Sequence, residues 1–238
     1  MTSFEALKIH VARSKSVICS HISSALPTKS DLLDWNFVDA AYLITTTNSD
    51  PTRLNRSRNE LESIDLWKFV KLHLVEPDDA DRIRGCYNSH IQVLRRALDE
   101  VKQPNRRILV LEDNLEKSMR FSSSSLTALK DFSLTETNWD LIHLACMMYV
   151  PKFSLELLDD MDHILRVKGD KGAAVGTTAY LISTSGINKI LEFHEKFGYT
   201  MPIPNVMSLL FERSRYGVYP MLFHRAGKVP SLVNPQVR

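Results

Sequence analysis

The chain has 238 residues, 44% of them hydrophobic, and 30 lysines and arginines against 28 aspartates and glutamates leave a formal charge of +2. That length suits one sizeable core, since α/β domains of about 200 to 250 residues commonly fold as a unit. The near balance of charge gives no whole-molecule field toward nucleic acid or an anionic membrane. Cys19, Cys86 and Cys146 stand far apart with no C-x-x-C pair, so neither a disulfide framework nor a zinc knot is indicated, and a reducing compartment is the simpler reading. Residues 1 to 13 lack the apolar core of a signal peptide. No later stretch approaches the roughly 18 apolar residues of a membrane span, so the expectation is a soluble, cytoplasmic protein.

One domain is expected over residues 1 to 238, with residues 1 to 38 an appendage of one or two short helices. From Ala41 short apolar runs alternate with periodic helical segments, the pattern of an α/β fold with a mostly parallel sheet covered by helices. The strand candidates are "AYLIT" at 41 to 45, "WKFVKLHLV" at 67 to 75, "RILVLE" at 107 to 112, "DLIHLACMM" at 140 to 148, "AYLIS" at 179 to 183 and "VYPMLF" at 218 to 223. Four of them are apolar at nearly every position, as in strands buried on both faces. Between the first two, Asp50 suits an N-cap, Pro51 the first helical position, and Leu54, Leu61 and Ile64 share one side. A further helix, "SGINKILEFHEKFG", carries its apolar stripe to Gly198, a good C-terminal cap.

Three segments combine chemistry with position. The run "RILVLE" ends in Glu112, Asp113 and Asn114, where acids beyond a strand's carboxyl end are placed to hold a metal or a sugar hydroxyl; a turn with a capping side chain is the simpler alternative. After the first strand, "TTTNSDP" with Thr45 and Thr46 leads to Arg53, Arg56 and Arg58. A loop and helix N-terminus here binds phosphate through backbone N–H groups and arginine, unless the arginines are only a solvated helix face. No Gly-rich fingerprint supports a dinucleotide fold or a P-loop. In "GCYNSH", Gly85 supplies a turn and Asn88 or Ser89 a cap for the helix that follows; His90 falls on the stripe of Leu94, Ala97 and Val101, as a core-edge residue or a ligand contact.

The segments "AYLITTTNSDPTR", "GCYNSH", "ILVLEDN", "WDLIHLA", "GTTAYLISTSG", "IPNV" and "YPMLFHRAGKVPS" occur in that order over roughly residues 41 to 231. In order and spacing they resemble glycosyltransferase family 25, the lipopolysaccharide-biosynthesis and procollagen-galactosyltransferase-like enzymes. The resemblance implies a GT-A-like, Rossmann-like nucleotide-sugar transferase fold. It also implies transfer of galactose or glucose from a UDP-sugar, with inversion, to a glycan or protein hydroxyl, aided by Mn²⁺ or Mg²⁺. Position by position, Glu112, Asp113 and Asn114 fall on the metal-binding stretch, and Gly85, Ser89 and His90 on the Gly-Cys-x-x-Ser-His element. Gly176, Ala179 and Tyr180 fall on the later Gly-x-x-Ala-Tyr segment. The nucleotide-sugar contacts are then expected from Thr45, Thr46, Arg53, Gly85, Ser89, Gly176 and Tyr180, and the catalytic groups from Asp113, Asp140 and His90, with Asp140 the candidate base.

Two departures stand out: Asn114 replaces the last acid of Glu-Asp-Asp, and Asn205 the acid of Pro-x-Asp. An amide oxygen ligates a hard cation without adding charge and cannot act as a general base. They motivate a second reading, a catalytically weakened relative that binds nucleotide or glycan or serves as a scaffold. A nucleic-acid module built on Arg53, Arg56, Arg58, Arg95, Arg96, Arg106 and Arg107 is disfavoured, because acids interleave with these arginines and the total charge is near neutral.

Overall fold

The computed structural model describes residues 33–148, 153–158, 161–169 and 174–226. The expected helical appendage lies outside these residues as far as 32. Residues 33 to 38 contain a turn and no helix, with Trp35 and Phe37 buried and the Trp35 indole Nε1 donating to the Ile64 carbonyl at 2.9 Å.

The first strand, β1 (Ala40–Thr46), is followed by helix α1 (Pro51–Glu62), β2 (Val70–Val75), helix α2 (Arg82–Glu100) and β3 (Arg107–Glu112). Then come β4 (Leu115–Lys117), α3 (Ser123–Thr135), β5 (Leu141–Met148), the hairpin of β6 (Phe153–Leu158) and β7 (Met161–Gly169), and β8 (Ala174–Ser183). Helices α4 (Thr184–Phe197) and α5 (Ile203–Leu210) and strands β9 (Arg215–Val218) and β10 (Phe223–Arg225) complete the described chain.

Eight strands form one sheet in the order β2-β1-β3-β8-β5-β9-β7-β6. β1 is parallel to β2 and β3, β5 is parallel to β9, and β8 and β7 run antiparallel to their neighbours. Only β8 and β7 therefore oppose the common direction, and the expected α/β architecture with a mostly parallel sheet is the one observed. Side chains alternate across the sheet. Ala41, Leu43, Leu109 and Leu111 pack with α1 and α3, whereas Tyr42, Ile44, Ile108 and Val110 pack with α2, α4 and α5. No helix of the described residues is long and apolar enough to cross a membrane.

Local chemistry explains most of the boundaries. Asp50 caps α1, accepting from Thr52 N, with Pro51 in the first turn. Gly198 ends α4 at a φ of 64°. Ser122 caps α3, which turns the short serine run into a helix start. Three expectations need correction. The run at 67 to 75 begins with a 3-10 turn at Trp67–Phe69, so only its second part is a strand. "VYPMLF" is not one strand: β9 ends at Val218 and β10 starts at Phe223, because Pro220 has no N–H to give a ladder.

The third correction concerns "GCYNSH". It does not precede the helix; it lies inside α2, which starts at Arg82 under the cap of Asp81, whose Oδ1 accepts from Ile83 N and Arg84 N. Gly85 is there for close approach: a Cβ on it would stand 2.8 Å from the Asp78 Cβ. Ser89 caps nothing, since its Oγ donates back to the Gly85 carbonyl at 2.8 Å, and His90 is two turns into the helix.

Candidate functional site

The connection from β1 to β2 runs through α1 on one face of the sheet, and that from β2 to β3 through α2 on the other. Connections that leave neighbouring strands on opposite faces in this way open a crevice beyond the carboxyl ends of β1, β2 and β3, where ligands of open α/β sheets bind. A cleft of about 280 Å³ occupies that place. Thr45, Thr46, Arg53, Gly85, Ser89, His90, Glu112, Asp113 and Asn114 all line it.

Glu112 and Asp113 part company because successive residues of a strand point to opposite faces. Asp113 turns toward α1 and is 4% exposed. Its Oδ2 accepts from Thr45 Oγ1 at 2.6 Å and Ser49 Oγ at 3.0 Å, its Oδ1 from Arg53 Nε at 2.6 Å, and its carbonyl from Ser57 Oγ at 2.8 Å. This carboxylate ties the β1–α1 loop to the end of β3. Of the arginine run only Arg53 reaches the cleft; Arg56 pairs with Glu116 at 2.9 Å and Arg58 with Glu62 at 2.7 Å.

Glu112 turns toward α2. Its Oε1 accepts from Thr177 Oγ1 at 2.5 Å and faces His90 Nε2 at 3.3 Å. The other ring nitrogen of His90, Nδ1, shares a hydrogen bond of 2.9 Å with the Tyr180 hydroxyl. Burial alone pushes the Glu112 carboxyl up, but His90, Thr177 and Arg53 together hold it below its ordinary value. Burial, with the Glu112 charge, pushes the Tyr180 hydroxyl and the Cys86 thiol upward.

Three expected residues stand outside the cleft. Tyr180 is fully buried and orients His90, so it makes no nucleotide contact in this geometry. Gly176 precedes Thr177 in β8 with a φ of 148°, a backbone conformation that favours glycine. Asp140 precedes β5 at the opposite ends of the strands, level with Arg107 and Ser183, and is held by Lys189 Nζ and Ser214 Oγ, each at 2.5 Å. As a base for chemistry in the cleft it is displaced. Asn205, in the first turn of α5, does not line the cleft either.

Residue-type reasoning missed Ser49, Ser57 and Thr177, whose hydroxyls fasten the side chain or backbone of the two acids, and Glu76, Asp78, Asp79 and Arg82, which also line the cleft. Thr177 lay within the quoted "GTTAYLIS"; nothing marked the loop after β2. The helix N-termini beside the cleft offer no open anion site, because Asp50 and Asp81 already take the first backbone N–H groups of α1 and α2. The lining holds Glu76, Asp78, Asp79, Glu112 and Asp113 against Arg53 and Arg82. Arg53 neutralises Asp113 and Arg84 pairs with Asp78 at 2.7 Å, which still leaves acid in excess.

Glu112, Asp113 and Asn114 do not fit a joint Mn²⁺ or Mg²⁺ ligand set. The two carboxylates diverge and Asp113 is saturated by Arg53 and two hydroxyls. Asn114 Oδ1 is buried and without a hydrogen-bond partner among the described residues.

No family model and no curated protein matches the chain. Among solved structures it is similar to a glycosyltransferase involved in the glycosylation of the major capsid of PBCV-1, at 9% identity over 81% of this chain and 95% of that one, with a TM-score of 0.49. It is similar to the inositol-1-phosphate CTP transferase from T. maritima, at 12% identity over 79% and 89% with a TM-score of 0.44. A UDP-glucose pyrophosphorylase complexed with UDP-glucose aligns at 10% identity over 75% and 72%, with a TM-score of 0.42. At such identities and scores these likenesses assign no activity.

Proposed function

We propose that the chain is a glycosyltransferase of GT-A-like fold that moves a hexose, galactose or glucose, from a UDP-sugar to a glycan or protein hydroxyl with inversion. The observation that supports it is the cleft beyond the carboxyl ends of β1 to β3, lined by three of the segments that resemble glycosyltransferase family 25, those carrying Thr45 to Arg53, Gly85 to His90 and Glu112 to Asn114. Thr45, Thr46 and Arg53 form one wall and Gly85, Ser89, His90 and Glu112 the other, with the donor between them. Asp113 serves by holding the first wall in place.

A nucleoside diphosphate entering an acid-rich lining needs positive charge brought with it. Mn²⁺ or Mg²⁺ carried in with the diphosphate would supply that charge as a Lewis acid. The acid excess, rather than a preformed three-residue ligand set, supports this part of the proposal.

A second reading, a relative that binds UDP or glycan without turnover, is favoured by the saturated Asp113 carboxylate and by the asparagines at 114 and 205. One experiment separates the two: UDP release from a panel of UDP-sugars with Mn²⁺, Mg²⁺ or EDTA, beside calorimetric titration with UDP. Metal-dependent release with one UDP-hexose supports the transferase. Binding without release across the panel supports the second reading, and absence of UDP binding refutes the transferase and counts against the nucleotide-binding form of the second.

A further inference from the structure

Cys86 and His90 lie one turn apart on α2, so they share a face, and Glu112 meets that face from the end of β3. One ligating atom from each of the three lies within 4.8 Å of the others, and all three residues line the cleft. The 3.3 Å between His90 Nε2 and Glu112 Oε1 is longer than most hydrogen bonds. It matches the separation of about 3.3 Å between nitrogen and oxygen ligands on a tetrahedral zinc ion with bonds near 2.0 to 2.2 Å. A thiolate on the same ion would sit about 3.6 Å from the nitrogen, so within the 4.8 Å limit the Cys86 side chain closes the site by an approach of about 1.2 Å or less.

We propose that Cys86, His90 and Glu112 form a zinc site in the wall of the cleft. Supporting groups are already in place around it. Tyr180 holds His90 by Nδ1 at 2.9 Å and leaves Nε2 toward the site, and Thr177 holds Glu112 at 2.5 Å. Metal-bound histidines are fixed through their other nitrogen, and metal-bound carboxylates by further hydrogen bonds, in this way. Thiolate, imidazole and carboxylate together select zinc over the hard cations magnesium and manganese. Three protein ligands leave a fourth position for water or for a molecule in the cleft. His90 and Glu112 then act as ligands and not as proton carriers. The assignment is independent of the UDP-sugar proposal, since it rests only on these donors and their supports.

The test uses the full chain, freed of metal by dialysis against a chelator and titrated with Co²⁺. The expected result is one equivalent bound, with the visible bands of a four-coordinate ion and a near-ultraviolet thiolate-to-cobalt band, all removed by one equivalent of Zn²⁺. Cys86→Ser loses the thiolate band, whereas the double variant Cys19→Ser with Cys146→Ser keeps it. Tyr180→Phe keeps the spectrum but binds roughly 10- to 100-fold more weakly, the usual cost of removing such a support. Glu112→Gln, close in shape to the parent, provides a second ligand variant, and circular dichroism confirms that each variant tested is folded. Absence of the thiolate band in the parent chain, its persistence in Cys86→Ser, or unchanged affinity in folded Glu112→Gln overturns the proposal. Calorimetry with UDP on the same samples reads the sugar-transferase proposal separately, so failure of one is not mistaken for failure of the other.

Discussion

Two buried aspartates stand at opposite ends of one sheet. Asp113 follows β3 and is 4% exposed; Asp140 precedes β5 and is 2% exposed. Each is held by one cation and by hydroxyls, Arg53 with Thr45 and Ser49 for the first, Lys189 with Ser214 for the second. Each end also holds a helix glycine with no room for a side chain: a Cβ on Gly85, in the cleft wall, meets Asp78 at 2.8 Å, and one on Gly186 meets the Asp140 carbonyl at 2.6 Å. The hollow at the Asp140 end is even the larger, at about 620 Å³. Burial, ion pairing and cavity size therefore do not separate the two. Topology does: at Asp113 the crossovers diverge beyond the carboxyl ends of the strands, whereas Asp140 stands at their amino ends, held by Lys189 of α4 and by Ser214.

The two acids differ most in what their removal costs. Asp113→Ala leaves Arg53, only 10% exposed, without its carboxylate, and costs about 3 to 5 kcal/mol in urea unfolding. Asp140→Ala costs less, about 1 to 3 kcal/mol, because Lys189 is 47% exposed and turns to water. In that second variant the calorimetric affinity for UDP is expected to stay within about twofold of the parent, as befits a site on the far edge. Equal stability losses, or loss of UDP binding in the Asp140 variant, would erase the distinction.

The glycines sharpen it further. Gly85→Ala and Gly186→Ala each destabilise by about 1 to 3 kcal/mol through overpacking, against a helix-propensity gain of about 1 kcal/mol. Only Gly85→Ala is expected to weaken UDP binding, because the displaced Asp78 lines the cleft.

Between the two ends, His143 in β5 is 2% exposed, and neither ring nitrogen has a hydrogen-bond partner among the described residues. Burial, helped by the Arg215 charge, lowers its pKa from 6.5 to about 3. The unfolded chain takes up a proton near pH 6.5 that the folded chain refuses until about pH 3. The resulting stability is complete above pH 6.5 and is lost as pH falls through that window, by up to about 1.4 kcal/mol per unit. Thermal unfolding of His143→Leu followed from pH 7 to pH 5 is expected to lack this component. The smallest effect belongs to an exposed pair remote from both ends: Glu62→Gln, which removes the partner of Arg58, changes stability by no more than about 0.5 kcal/mol, and salt abolishes the difference.

Much of this frame was legible in the sequence because its signals are local. "RILVLE" is β3 at both limits, "AYLIT" is the body of β1, Asp50 and Pro51 start α1, and Gly198 ends α4. Those features depend on side-chain periodicity and on capping chemistry, which neighbours along the chain suffice to set. Gly85 shows where such reading fails. A glycine ahead of an amphipathic run looks like a turn, yet here it sits inside the helix because residue 78 packs against it. The β6 and β7 hairpin and α5 were likewise not seen, since their places are set by partners elsewhere in the sheet and in the helix layer.

For the site, the chain's own order brought Glu112 and Asp113 to the end of a buried strand and put Cys86 and His90 one turn apart on a helix. Those relations follow from the spacing of adjacent residues. Which acid meets which partner was decided only by the fold. Strand alternation sends Glu112 to His90 and Asp113 to Arg53, and the strand order places both beside β1 while leaving Asp140 on the far edge. Hydrogen bonds between residues 60 to 68 positions apart depend on the direction and register of the strands, which no local pattern encodes.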